Sequence, residues 1–170
     1  KLHLTKEKNI AFHTPYLKLL TADAFWTKSA KHADKAAIKI NLNFNYHVDP
    51  SELFKLLHVT IDNKAVEAAL VTNTVGQSVM IVADGMDKNI KDDLLLKLVI
   101  DKGLRCTQSE WISTQPMELI SSISSPGKLQ IIQVLPEFSG DEGFIHVYTS
   151  QSLDDQNIKS LVKLKPALEF

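Results

Sequence analysis

The sequence predicts an all-β protein: an immunoglobulin-like antiparallel β-sandwich followed by part of a second β-sandwich module. Three observations carry this. Ile38, Ile40, Leu42, Phe44 and Tyr46 alternate with Lys39, Asn41, Asn43 and Asn45, the two-residue period of a strand with one apolar face. Many short stretches of this kind are separated by turns, with no long helical periodicity, which favours a sandwich. Finally, the pattern repeats. Ile145, Val147, Leu153, Asp154, Ile158, Leu161, Val162 and Leu164 stand 105 positions after Ile40, Leu42, Val48, Asp49, Leu53, Leu56, Leu57 and Val59. A repeat of about one hundred residues matches the size of an immunoglobulin-like sandwich.

Taken in order, Lys1 to Lys8 is charged and aperiodic and reads as a tail or crossing segment. Tyr16 to Leu20 is a first strand. Thr21 to Ala36 reads as a strand end and loop, with Phe25 and Trp26 packed on the domain edge. The central strand runs to Tyr46. Asp49-Pro50-Ser51-Glu52 is a helix start: Asp49 caps, Pro50 suits the first helical position, and Glu52 completes a capping box. Leu53, Leu56 and Leu57 share one face of the short helix that follows. Val59 to Ile61 is a strand, Asp62-Asn63-Lys64 a turn, and Val66, Ala68 and Leu70 a further alternating strand. After a loop at Thr72 to Gln77, Val79 to Val82 is a strand and Asp84 to Asn89 a turn rich in Gly, Asn and Asp. Leu94 to Ile100 is a buried strand ending at Lys102-Gly103. Leu104 to Trp111 and Met117 to Ile120 are the last strands of the first module.

The sharpest shift in composition is Ser121-Ser122-Ile123-Ser124-Ser125-Pro126-Gly127. It divides the chain into a first domain over 1–122, with its core from about 15, a linker at 123–128, and the N-terminal part of a second module over 129–170. Ser139 to Gly143 is a tight acidic turn. A piece of about 45 residues cannot bury an adequate core alone. Its apolar face is expected to pack on the first domain, on another chain or on further residues of a longer array. The two copies differ on their outward face. Phe144, His146 and Tyr148 stand where Lys39, Asn41 and Asn43 stand in the first. These three form the candidate domain-contact face.

A net charge of −1 does not suggest a nucleic-acid partner, which would favour a clustered basic surface. No run approaches the roughly 20 apolar residues that cross a bilayer; the longest, Leu94 to Ile100, is broken by Lys97. The chain starts at Lys1, so any signal peptide or lipid anchor would lie upstream. The single Cys106 excludes an intrachain disulfide. The six histidines lack the spacing of a ligand set. Asp84, Asp87, Asn89, Asp92 and Asp93 offer oxygen ligands for calcium, but lack the order of a helix–loop–helix site and read as a solvated turn. There is no G-x-S-x-G, G-x-G-x-x-G or P-loop. Arg105 beside Cys106 is weak support for a reactive thiol. Trp26, Trp111 and Tyr16 could line a sugar-binding face, with core or edge packing the plainer reading. The residues thus predict no enzyme, no cofactor and no metal.

The stretch Ile40 to Leu53, with Phe44, Val48-Asp49-Pro50 and Leu53, resembles a signature of the macroglobulin domains of bacterial alpha-2-macroglobulins. Ser150-Gln151-Ser152-Leu153-Asp154, followed by Leu161 to Leu168 with Pro166-Ala167-Leu168, is similar to a second stretch of that family. Ser152 stands where the family usually has proline. The resemblance covers roughly Pro15 to Phe170. It implies a seven-stranded sandwich and a non-catalytic piece of a large protease-trapping protein, an endopeptidase inhibitor. The family's location implies a periplasmic or cell-surface protein, often a lipoprotein, membrane-anchored through an N-terminal lipid. The implied partners are neighbouring domains of the same parent chain, and proteases through the whole parent. The family's thioester motif is not matched, because Cys106 is followed by Thr107-Gln108-Ser109. The alternatives are an immunoglobulin-like module of a surface adhesin or a carbohydrate-binding array.

Overall fold

In the computed structural model the described residues are 16–140, 142–151, 153 and 163. The positions Asp154, Ile158, Leu161, Val162 and Leu164 of the repeat, the Leu161 to Leu168 stretch, and the Lys1 to Lys8 tail lie outside them, Lys163 apart. Among the described residues ten strands and one helix follow one another: β1 (Leu19–Lys28), β2 (Ala36–Val48), α1 (Pro50–Leu56), β3 (Leu57–Ile61), β4 (Lys64–Ala65), β5 (Ala68–Leu70), β6 (Gly76–Met86), β7 (Leu94–Ile100), β8 (Met117–Ile123), β9 (Ile131–Ser139) and β10 (Glu142–Thr149).

All strand pairings in the sheets are antiparallel. One sheet has the order β1-β2-β6-β5, a second β4-β3-β7-β8, and β9 and β10 form a separate hairpin. The two larger sheets share one core. Ile38, Ile40, Leu42, Val79 and Ile81 enter it from the first sheet, and Leu96, Leu98 and Ile100 from the second. The all-β sandwich fold is therefore as the alternation predicts. Leu53 of α1 plugs the same core.

The start of α1 follows its sequence closely. Asp49 Oδ1 accepts from the backbone N–H of Ser51 at 2.8 Å and of Glu52 at 3.4 Å, and from the Ser51 hydroxyl at 2.6 Å. Those bonds, the Ser51 hydroxyl foremost, hold the Asp49 carboxyl below its ordinary value. A carboxylate stabilised this way contributes fully above the ordinary carboxylate range, around pH 4. Its contribution fades as pH falls through the lower folded value. Asp49→Ala is expected to lower the melting temperature at pH 7, with the gap to wild type closing towards pH 2. Asp49→Asn should recover part of the loss at pH 7. Thermal melts across that pH series check it; a gap independent of pH counts against the cap.

The β3–β4 turn uses Asp62 at φ 47° and Asn63 at φ 60°, left-handed positions that Asp and Asn tolerate. Asp62 Oδ1 also accepts from Leu95 N–H at 2.8 Å, tying the turn to β7.

Three stretches depart from the sequence expectation. The first strand begins at Leu19 and continues to Lys28, through the first half of the stretch read as a strand end and loop. Its polar residues misled the reading because they face outward, where Asn43 Nδ2 donates to Thr21 Oγ1 and Asp23 Oδ2, each at 3.0 Å. Leu104 to Trp111 is a loop, not a strand. It keeps only isolated bridges, Val48↔Cys106 and Arg105↔Ile112, and Ser113 Oγ takes the N–H groups of Gly103 and Leu104, each at 3.0 Å. Earlier in the chain, β6 runs through Asp84 to Met86, so the turn there starts at Asp87.

Candidate domain-contact surface

The serine-rich stretch after β7 and its loop is wired into the sandwich. β8 runs on through Ser121 and Ser122 to the buried Ile123. Ser125 is buried, and its N–H donates to Asp93 Oδ1 at 2.9 Å. That bond and the nearby Lys128 ammonium, 3.6 Å away, hold the Asp93 carboxyl below its ordinary value. The Trp26 indole N–H donates to the carbonyl of Ser124 at 2.6 Å. Trp26 is 3% exposed, so this residue of the outer strand β1 is enclosed where the linker and the end of β10 meet that edge.

The far side of this joint belongs to the hairpin. Ser150 is the other buried polar residue among the described ones. Its N–H donates to Gln130 O at 2.9 Å, its hydroxyl to Lys128 O at 3.1 Å, and its carbonyl accepts from Trp26 N–H at 3.0 Å. Gln130 N–H in turn donates to Ser150 Oγ at 2.9 Å, and Ser124 Oγ to Gln130 Oε1 at 2.8 Å. Trp26 is thus bonded to the linker by its side chain and to the end of β10 by its backbone. Buried backbone groups must find partners, and here they find them between segments about 100 residues apart. Nothing in the serine run signals this; serines read as loop until their partners are placed.

β10 falls at the repeat offset of β2, and each is the second strand of an antiparallel hairpin. Their environments differ. Ile40 and Leu42 are 0% exposed, whereas Ile145 and Val147, their counterparts, are 54% and 44% exposed. The expected inward face of the second copy is open because no second sheet lies against it among the described residues.

Phe144, His146 and Tyr148 project together on the other face of β10. They stand opposite Glu137, Leu135 and Gln133 of β9, and directly opposed residues share a face. His146 Nε2 lies 2.9 Å from Glu137 Oε2. The three are brought together as the sequence expects, on a face that is amphipathic. The more apolar face is the opposite one. Ile145, Val147, Val134, Pro136 and Phe138 form it without a charged side chain, and Phe138 is 85% exposed. Exposed apolar residues grouped in this way make this face a candidate interaction surface.

The remaining candidates separate. Trp111 and Tyr16 are exposed and meet edge to face, with ring centroids 5.7 Å apart at 75°, beside a cleft of about 310 Å³ that Cys106 lines from its buried position. Trp26 lies inside the molecule, so it forms no exposed platform with Trp111. The acidic residues at 84–93 do not converge: Asp84 lies in β6, and Asp87, Asp92 and Asp93 are exposed. Asp84 accepts from Gly85 N–H at 2.8 Å, Asp87 from Asn89 N–H at 2.9 Å, and Asp93 from Ser125. Among the described residues no three His, Cys, Asp or Glu side chains are grouped as metal ligands. No helix among them is long and apolar enough to cross a membrane.

Neither a scan against protein-family models nor a search of the curated proteins returns a match to this chain.

Proposed function

We propose that this chain is a non-catalytic scaffold segment of a bacterial alpha-2-macroglobulin-like protein, a protease-trapping defence protein of the periplasm or cell surface. The observation that supports it most is the joint at Trp26. A sandwich, a bonded linker and a hairpin with open apolar faces fit a segment that holds successive modules at a fixed angle and offers its surfaces to neighbouring domains. The 105-residue repeat and the Val48-Asp49-Pro50 signature supply the family part of the reading. Its chemistry is positioning, with proteases met through the whole parent and no bond made or broken here.

The test is a trapping assay on the natural protein that carries this chain. Endopeptidase incubated with it should become physically retained, lose activity towards large substrates and keep it towards small peptides. Trp26→Ala, which loosens the joint, should reduce that shielding. A natural protein that neither retains nor shields any endopeptidase of a broad panel overturns the reading.

A further inference from the structure

The hairpin has two open edges among the described residues, and they are not alike. Two residues connect Ser139 to Glu142, which are themselves paired. A two-residue hairpin closes on a hydrogen-bonded pair, and such pairs alternate along the ladder. Phe144, His146 and Tyr148 therefore direct their backbone groups to β9, and Ile145 and Val147 direct theirs to the open edge. Pro136 agrees with this phase: it stands opposite Ile145 and has no N–H to give the ladder. Its ring thus blunts the outer edge of β9. The outer edge of β10 has no such guard. From Gly143 to Thr149 it carries no proline and no lysine.

We propose that this edge pairs with the same edge of a second copy of the chain, antiparallel and centred on His146. By residue type β10 reads alike in both directions: Phe144-Ile145-His146-Val147-Tyr148, aromatic, aliphatic, His, aliphatic, aromatic. Pairing about His146 sets Ile145 opposite Val147 of the second copy and Phe144 opposite Tyr148 of the second copy. Aliphatic meets aliphatic on one face and aromatic meets aromatic on the other. The outward backbone groups of Ile145 and Val147 then bond each other across the two-fold axis. A slip of one residue puts the two faces out of step, and a slip of two sets Phe144 opposite His146, so the register is specified.

The test is made on the full chain, by solution mass over a wide concentration range and by cysteine cross-linking. The mass should rise to that of a dimer. His146→Cys should cross-link under mild oxidation, because opposed residues at a non-hydrogen-bonded pair have Cα atoms about 4.5 Å apart, within disulfide reach. Buried Cys106 makes the unsubstituted chain the blank. Phe144→Cys alone should not cross-link; mixed with Tyr148→Cys, it should. Val147→Pro removes an outward N–H as Pro136 does and should return the mass to a monomer with the fold kept. A monomer at every concentration overturns the proposal. So does a dimer that His146→Cys fails to cross-link, or one that Phe144→Cys alone cross-links as readily.

Discussion

Alanine in place of Leu42 is expected to destabilise the sandwich by about 2–5 kcal/mol, while alanine at Val147 costs less than about 1 kcal/mol. The two positions are counterparts in the repeat, both on the inward face of the second strand of a hairpin. Leu42 is fully enclosed between the sheets, so truncating it leaves a cavity whose walls close only in part. Val147 is 44% exposed, and truncating it removes surface that water already reaches. Denaturant unfolding of both variants, followed by tryptophan fluorescence at low protein concentration, reads the difference. Equal costs would mean that the inward face of the hairpin is covered in solution as Leu42 is.

Trp26→Ala is the second large effect, about 3–5 kcal/mol. It empties a buried site and leaves the Ser124 carbonyl without its 2.6 Å donor. Trp26→Phe separates the two parts. It keeps most of the ring and removes the indole N–H, at a cost of about 0.5–1.5 kcal/mol. The telling readout is local. Amide exchange at Ser125, Gln130 and Ser150 should speed up in Trp26→Phe, while that of β2, β6 and β7 follows the small global loss. If those three amides stay as protected as in the unsubstituted chain, the indole bond does not hold the joint.

What the sequence made legible was set by local rules. The period of two located β2, a short apolar run ending at a turn located β7, the Asp49-Pro50 pair located α1, and Asp62-Asn63 located the sharp turn, because each is decided by a few adjacent residues. The misread stretches were decided elsewhere. The polar face of β1 is a strand because Asn43 supplies partners across the sheet. Residues 104–111 have alternation enough for a strand, yet their backbone is taken by Ser113 and by the end of β2. The candidate face Phe144, His146 and Tyr148 was legible as a set, since alternation alone puts the three on one side. The joint was not. Its members are a tryptophan, three serines, an aspartate, a lysine and a glutamine scattered from 26 to 150, and only the closed fold makes them neighbours.

The joint also orders events in time. Trp26 belongs to the first strand of the sandwich, and Ser124 directly follows the last. Their bond closes a loop of about 100 residues, whose entropy must be met by contacts formed beforehand. The β9–β10 hairpin, with pairings local in sequence, can close on its own within microseconds. Its placement must wait until β1 and β8 are both home. Nascent hairpins will therefore sample many orientations on an unfinished sandwich and lose that freedom in a single late step. The angle between the two segments thereby becomes a kinetic marker that the domain before them has finished folding.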